Sequence, residues 1–146
     1  MYLYATRHFS KYEDAEKASA LRKEFKVQNS DNLETVELHF EVGYWRKANA
    51  IHQWFVDKCQ DGADDCRPGH VNREDLQDLK VVCENELKCK DNPEESDEQI
   101  EPKAGFFFGT YEKDEWYYDS LEHTIKIVDE CLEMSEDFSF QYESSW

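Results

Sequence analysis

The chain has 146 residues, enough for one domain with a real core, and its 14% aromatic content supplies bulky material for that core and excludes a disordered chain. Its formal net charge of −17 disfavours binding nucleic acid through a general basic surface, because neutralising phosphates needs a net stripe of Lys and Arg. Residues 1–60 carry nine Lys/Arg against nine Asp/Glu, and residues 61–146 carry eight against 25, so the whole net charge belongs to the second half.

In chain order, Met1–Phe9 alternates apolar with polar residues like a strand, and Ser10–Phe25 is charged and alanine-containing like a helix. Glu34–Val42 gives the clearest strand pattern, with Val36, Leu38, Phe40 and Val42 facing the core and the glutamates facing water. Gly43 then joins this strand to a helix over Tyr44–Cys59. Asn72 as N-cap, Asp75 at the capping-box position and Val71 with Leu76 as a hydrophobic staple start the next helix, which runs to about Leu87. A mobile acidic loop is expected at about residues 91–103, carrying Pro93 with Glu94, Glu95, Asp97 and Glu98. Phe106–Phe108, between Gly105 and Gly109, reads as a short buried strand. A helix starts near Asp114, with Leu121, Ile125, Val128 and Leu132 at helical spacing, and Phe138, Phe140 and Tyr142 alternate as a last strand. These elements imply a single α+β domain over residues 1–146, a small, mainly antiparallel sheet with helices packed on one face.

Met1–His8 has no basic region followed by an apolar run, and no stretch approaches the roughly 18 apolar residues that span a bilayer. A cytoplasmic protein with no membrane association is expected. The cysteines Cys59, Cys66, Cys83, Cys89 and Cys131 form an odd set, so reduced thiols are expected. His52, Cys59, Cys66 and His70 are residue types that suit zinc, but only Cys66 and His70 are as close in sequence as a zinc knuckle brings its ligands. Neither a metal nor a cofactor is expected.

The segment from Gly43 to Phe55 carries the densest candidate site. On a helix beginning at Tyr44, the residues Tyr44, Ala48, Ile51, Phe55 and Cys59 form a core stripe, and Trp45, Asn49, His52 and Val56 form the stripe beside it. Arg46 and Lys47 then sit in the first turn, against the positive end of the helix dipole, where acidic residues are the stabilising choice. Such a local conflict is what a binding site can look like in sequence. Trp45, Arg46, Lys47, Asn49, His52 and Gln53 are the candidate ligand- or partner-binding residues, suited to a phosphate or carboxylate and a stacked ring. The alternative is structural, with Arg46 tied to Asp114 or Asp119. A thiol–imidazole pair of His52 with Cys59 or Cys66 is the one nucleophilic arrangement the residues offer, and no G-x-S-x-G, H-E-x-x-H or Walker pattern is present.

GYWRKANAIHQWFVDKCQDGADDC, AGFFFGTYEKDEWYYDSLEHTI and the opening Met1–Ala5 together resemble a family of small, largely uncharacterised bacteriophage and prophage proteins. Its members share GYWRKAN-x-IH-x-WFV and SGFFFG blocks. The match covers somewhat under half the chain. Ala104 stands where the family has serine, Lys113 where an aromatic is common, and Cys59 and the acidic tail are atypical. The resemblance implies a phage-encoded accessory protein acting in the host cytoplasm, as a non-catalytic inhibitor or adaptor on a host or host-defence protein. That partner could be nucleic-acid-binding and engaged by an acidic, nucleic-acid-mimicking surface at Glu94, Glu95, Asp97 and Glu98, with no nucleic acid bound directly. The alternatives are a protein that sequesters a nucleotide or other anionic small molecule on the Trp45–His52 helix, and a small enzyme on phosphorylated metabolites.

Overall fold

A computed structural model describes residues 1–10, 12–27, 35–92, 100 and 113–145. The elements are β1 (Tyr2–Ser10), α1 (Ala15–Glu24), β2 (Thr35–Tyr44), α2 (Asn49–Cys59), β3 (Gly69–Val71), α3 (Arg73–Lys88), α4 (Glu115–Glu133) and β4 (Ser139–Glu143). The four strands form one antiparallel sheet in the order β2-β1-β4-β3, and the α+β expectation holds. Phe106–Phe108 and the acidic loop residues Glu94, Glu95, Asp97 and Glu98 lie outside the described residues.

Strand alternation decides which side of the sheet is buried. Leu3 and Ala5 of β1, Phe140 and Tyr142 of β4 and Val71 of β3 point to one side, where they meet Ile51 and Phe55 of α2, Leu76 and Leu79 of α3, and Leu121 and Val128 of α4. Phe55 stacks on Tyr142 with ring centroids 4.2 Å apart and planes 9° from parallel, joining the helical layer to the sheet. The Asn72 backbone N–H donates to Asp75 Oδ2 at 2.8 Å, and Val71 and Leu76 are both buried, as the capping signals imply. Arg73, in the first turn of α3, donates to the carbonyls of Leu132, Met134 and Ser135 at 3.2, 2.8 and 2.7 Å, satisfying orphan groups at the end of α4.

Two expectations need correction. Val36, Leu38 and Val42 are only half-buried and Phe40 is 44% exposed, because β2 is at the edge of the described strands. Its register with β1 also slips at Val42, where Leu3 opposes Gly43 but Tyr4 opposes Glu41, a bulge that breaks the alternation. The helix expected from Tyr44 begins at Asn49 instead. Pairing of β1 with β2 continues to Tyr44 opposite Tyr2, and the Trp45 N–H extends it by donating to Met1 O at 2.9 Å. Lys47 then turns the chain at φ +58°, a left-handed conformation no helix interior accepts.

Candidate functional site

The later helix start divides the residues expected to form one pocket. Trp45 is buried, its indole N–H donating to Thr124 Oγ1 at 2.9 Å, and the Thr124 hydroxyl donates on to Ser120 O at 2.7 Å. Asn49 is buried as well. His52 is 3% exposed, with Nδ1 2.6 Å from the Tyr142 hydroxyl and Nε2 3.1 Å from Asp64 Oδ2. Burial raises the Tyr142 phenol well above its ordinary range, with Asp64 adding to the effect, so that hydroxyl stays protonated and donates to Nδ1. His52 thus joins α2, the segment after it and β4 inside the molecule, as a positioning group out of a ligand's reach.

Arg46 and Lys47 are exposed on the turn before α2, outside its first turn, so the conflict with the helix dipole is weaker than the sequence implies. Gln53 donates to Asp57 Oδ1 at 2.7 Å along the helix surface. The thiol–imidazole pair of His52 with Cys59 is disfavoured on chemistry. Burial pushes the Cys59 thiol up to about 12, and Cys83 and Cys131 also to about 12, so these sulfurs are protonated near neutrality. Among the described residues no three His, Cys, Asp or Glu side chains come together as a metal site, and no helix is long and apolar enough to cross a membrane.

What the structure does bring together is the β2–α2 turn and the start of α4. Tyr44, Trp45, Arg46 and Ala48 on one side, and Trp116, Asp119, Ser120 and His123 on the other, line a cleft of ≈ 320 Å³. Gly43 permits the approach: a Cβ there would stand 2.8 Å from Ile127 Cγ2 and 3.0 Å from Trp45 Cη2. His123 closes the base by donating from Nε2 to Tyr44 O at 3.0 Å. Trp116, 60% exposed, forms the outer wall. Of the candidate residues, Arg46 and Trp45 line this cleft, whereas Trp116, Ser120 and His123 were not among the candidates. Their signal was a tryptophan on the polar side of an amphipathic helix, with Ser120 and His123 following at four and seven residues.

The exposed side of α4 also carries Glu115, Asp119, Glu122, Glu130 and Glu133, interrupted by Lys126. Steps of three and four residues place successive Cβ atoms about 5–6 Å apart on a helix surface. Among the described residues no cation forms an ion pair with this row, whereas Asp129, on the inner flank, is held by Lys80 at 2.5 Å. No protein-family model, curated protein or solved structure matches the chain.

Proposed function

We propose that the chain is a non-catalytic inhibitor or adaptor that engages a basic, nucleic-acid-binding host protein, as the resemblance to phage accessory proteins implies. The observation that carries the reading is the carboxylate row of α4, exposed and, among the described residues, held in no ion pair. Carboxylates at near-regular spacing on a rigid helix, with Lys126 among them, suit a groove built for phosphates, and they speed association more than they tighten the complex. The test is retention of a host nucleic-acid-binding protein from nuclease-treated lysate, with the parent chain and with a Glu122→Gln/Glu130→Gln/Glu133→Gln variant. Capture that falls with added salt and is lost in the variant supports the reading. Equal capture by both, or capture indifferent to salt, overturns it.

A second reading is favoured by the cleft. Arg46 and the exposed Trp116 line one opening, an arrangement suited to a ring carrying an anionic group, such as a nucleotide. A nucleotide that raises the melting temperature of the parent but not of Arg46→Ala or Trp116→Ala supports it, and a shift retained in both variants removes the cleft from consideration. The enzyme alternative draws no support from Cys59, whose thiol is held protonated, or from His52, which is enclosed by Tyr142 and Asp64.

A further inference from the structure

Among the described residues, the side chains of β1, β2 and β4 that point away from the core are exposed or half-buried, and alternation fills that side with rings and carboxylates. Tyr2 lies between Tyr44 on β2 and Glu143 on β4, Tyr4 between Glu41 and Gln141, and Thr6 between His39 and Ser139. The rings are laid against one another: Tyr2 on Tyr4 at 5.9 Å and 16°, Tyr4 on His39 at 4.5 Å and 29°, and Tyr2 beside Tyr44 at 5.2 Å. Thr6 Oγ1 and His39 Nδ1, 2.9 Å apart, fix the imidazole in the tile. Partial burial, then the nearby Glu143 and Glu41 carboxylates, raise the Tyr4 phenol above its ordinary value, which sets both charges close to that ring.

We propose that this open face of the sheet is a docking surface for an arginine-bearing extended segment of a partner protein, whose guanidinium groups stack on Tyr2, Tyr4, Tyr44 and His39 and pair with Glu41 and Glu143. The inference rests on the reading of the chain as a binder of a basic protein, and gives the contact a surface separate from the α4 row. Charge complementarity selects the occupant. Aromatic tiles on sheets also stack nucleic-acid bases, but that use needs cations for the backbone phosphates. The outward positions of the described strands carry no Lys or Arg, while Glu37, Glu41 and Glu143 are among them. A second copy is disfavoured for the same reason, because each chain carries −17 and would set these glutamates against their own kind. Arginine satisfies both parts of the surface at once, its plane lying on a ring while its edge meets a carboxylate. In an extended segment, every second side chain recurs at about 6.7 Å, close to the spacing of the Tyr2 and Tyr4 rings.

The experiment titrates the whole chain with a peptide of four arginines alternating with glycine, beside its lysine counterpart and a single-stranded oligouridine. Tyr4→Ala, and separately Glu41→Gln/Glu143→Gln, are each expected to weaken arginine-peptide binding by about tenfold, with lysine weaker than arginine on the parent. The second variant keeps every ring, so it reports even if Tyr4→Ala folds poorly. Neutralising Glu122, Glu130 and Glu133 on α4 should change this affinity less than about twofold. Binding that the α4 variant abolishes and the sheet variants leave intact overturns the sheet inference while leaving the broader reading standing. Absence of arginine-peptide binding overturns the sheet inference and leaves the α4 reading to its own capture test, and oligouridine binding that Tyr4→Ala removes overturns the choice of partner.

Discussion

Gly43 shows how a single hydrogen in place of a side chain sets the distance between β2 and α4. Its missing Cβ is the space occupied by Ile127, Trp45 and Leu3, with approaches of 2.8, 3.0 and 3.2 Å. Gly43→Ala is expected to lose about 1–3 kcal/mol, since buried neighbours must shift to admit the methyl group. Urea denaturation checks this, and a change below about 0.5 kcal/mol would mean that the strand and helix separate easily. Arg46 is the opposite case. Sequence alone left open a buried ion pair or a surface cation, and its exposure on the turn decides for the surface. Arg46→Ala should change stability by no more than about 0.5 kcal/mol in a thermal melt, so any lost binding reports on the cleft. Trp45 and His52 were legible as unusual but not as internal, because a polar atom in sequence does not reveal whether Thr124 or Tyr142, 79 and 90 residues away, will meet it.

Elements were legible where the local signal was redundant. The α3 start combines a side-chain cap, a reciprocal acid and a flanking staple, and the observed helix begins one residue after Asn72. Asp75→Ala should therefore cost about 1 kcal/mol by urea denaturation, and an unchanged midpoint would show that the cap bond is not retained in solution. The α4 start is equally plain, with Asp114 Oδ1 accepting from Tyr117 N at 2.9 Å. The α2 start was misplaced by five residues because helical spacing from Tyr44 to Cys59 is compatible with either origin, and the competing strand pairing is not local. β3 was not anticipated at all. It has three residues, one of them Gly69, and exists because Gly69 and Val71 pair with Tyr142 and Phe140 of β4.

At the scale of the whole molecule, buried thiols couple stability to alkaline pH. Cys59, Cys83 and Cys131 are raised to about 12 by burial from an ordinary 9.0, so the folded state holds protons that the unfolded state releases first. Their contribution is fully present below pH 9 and is lost as pH rises towards 12. Melting temperature is expected to fall across that window, and less steeply in Cys83→Ala once its own loss of packing is subtracted. A melting temperature flat to pH 11 would contradict it. The burial of Cys83 and Cys131 predicts that these two thiols resist iodoacetamide at pH 8 until denaturant is added, which peptide mapping can read directly.

The sheet order has a temporal consequence. β1 has β2 on one side and β4 on the other, so the first and last strands of the fold are neighbours at its centre. Phe140 and Tyr142, which close the core over Phe55 and Val71, are therefore synthesised more than 60 residues after the groups they cover. Early segments can form helices and the β1–β2 pair, but the cooperative transition waits for contacts separated by more than 130 residues. Chains arrested before Ser139 should remain protease-sensitive, and those extended past Glu143 beyond the exit tunnel should become resistant in one step. Folding of the segment from Tyr2 to Glu143 is then expected to follow its synthesis rather than accompany it.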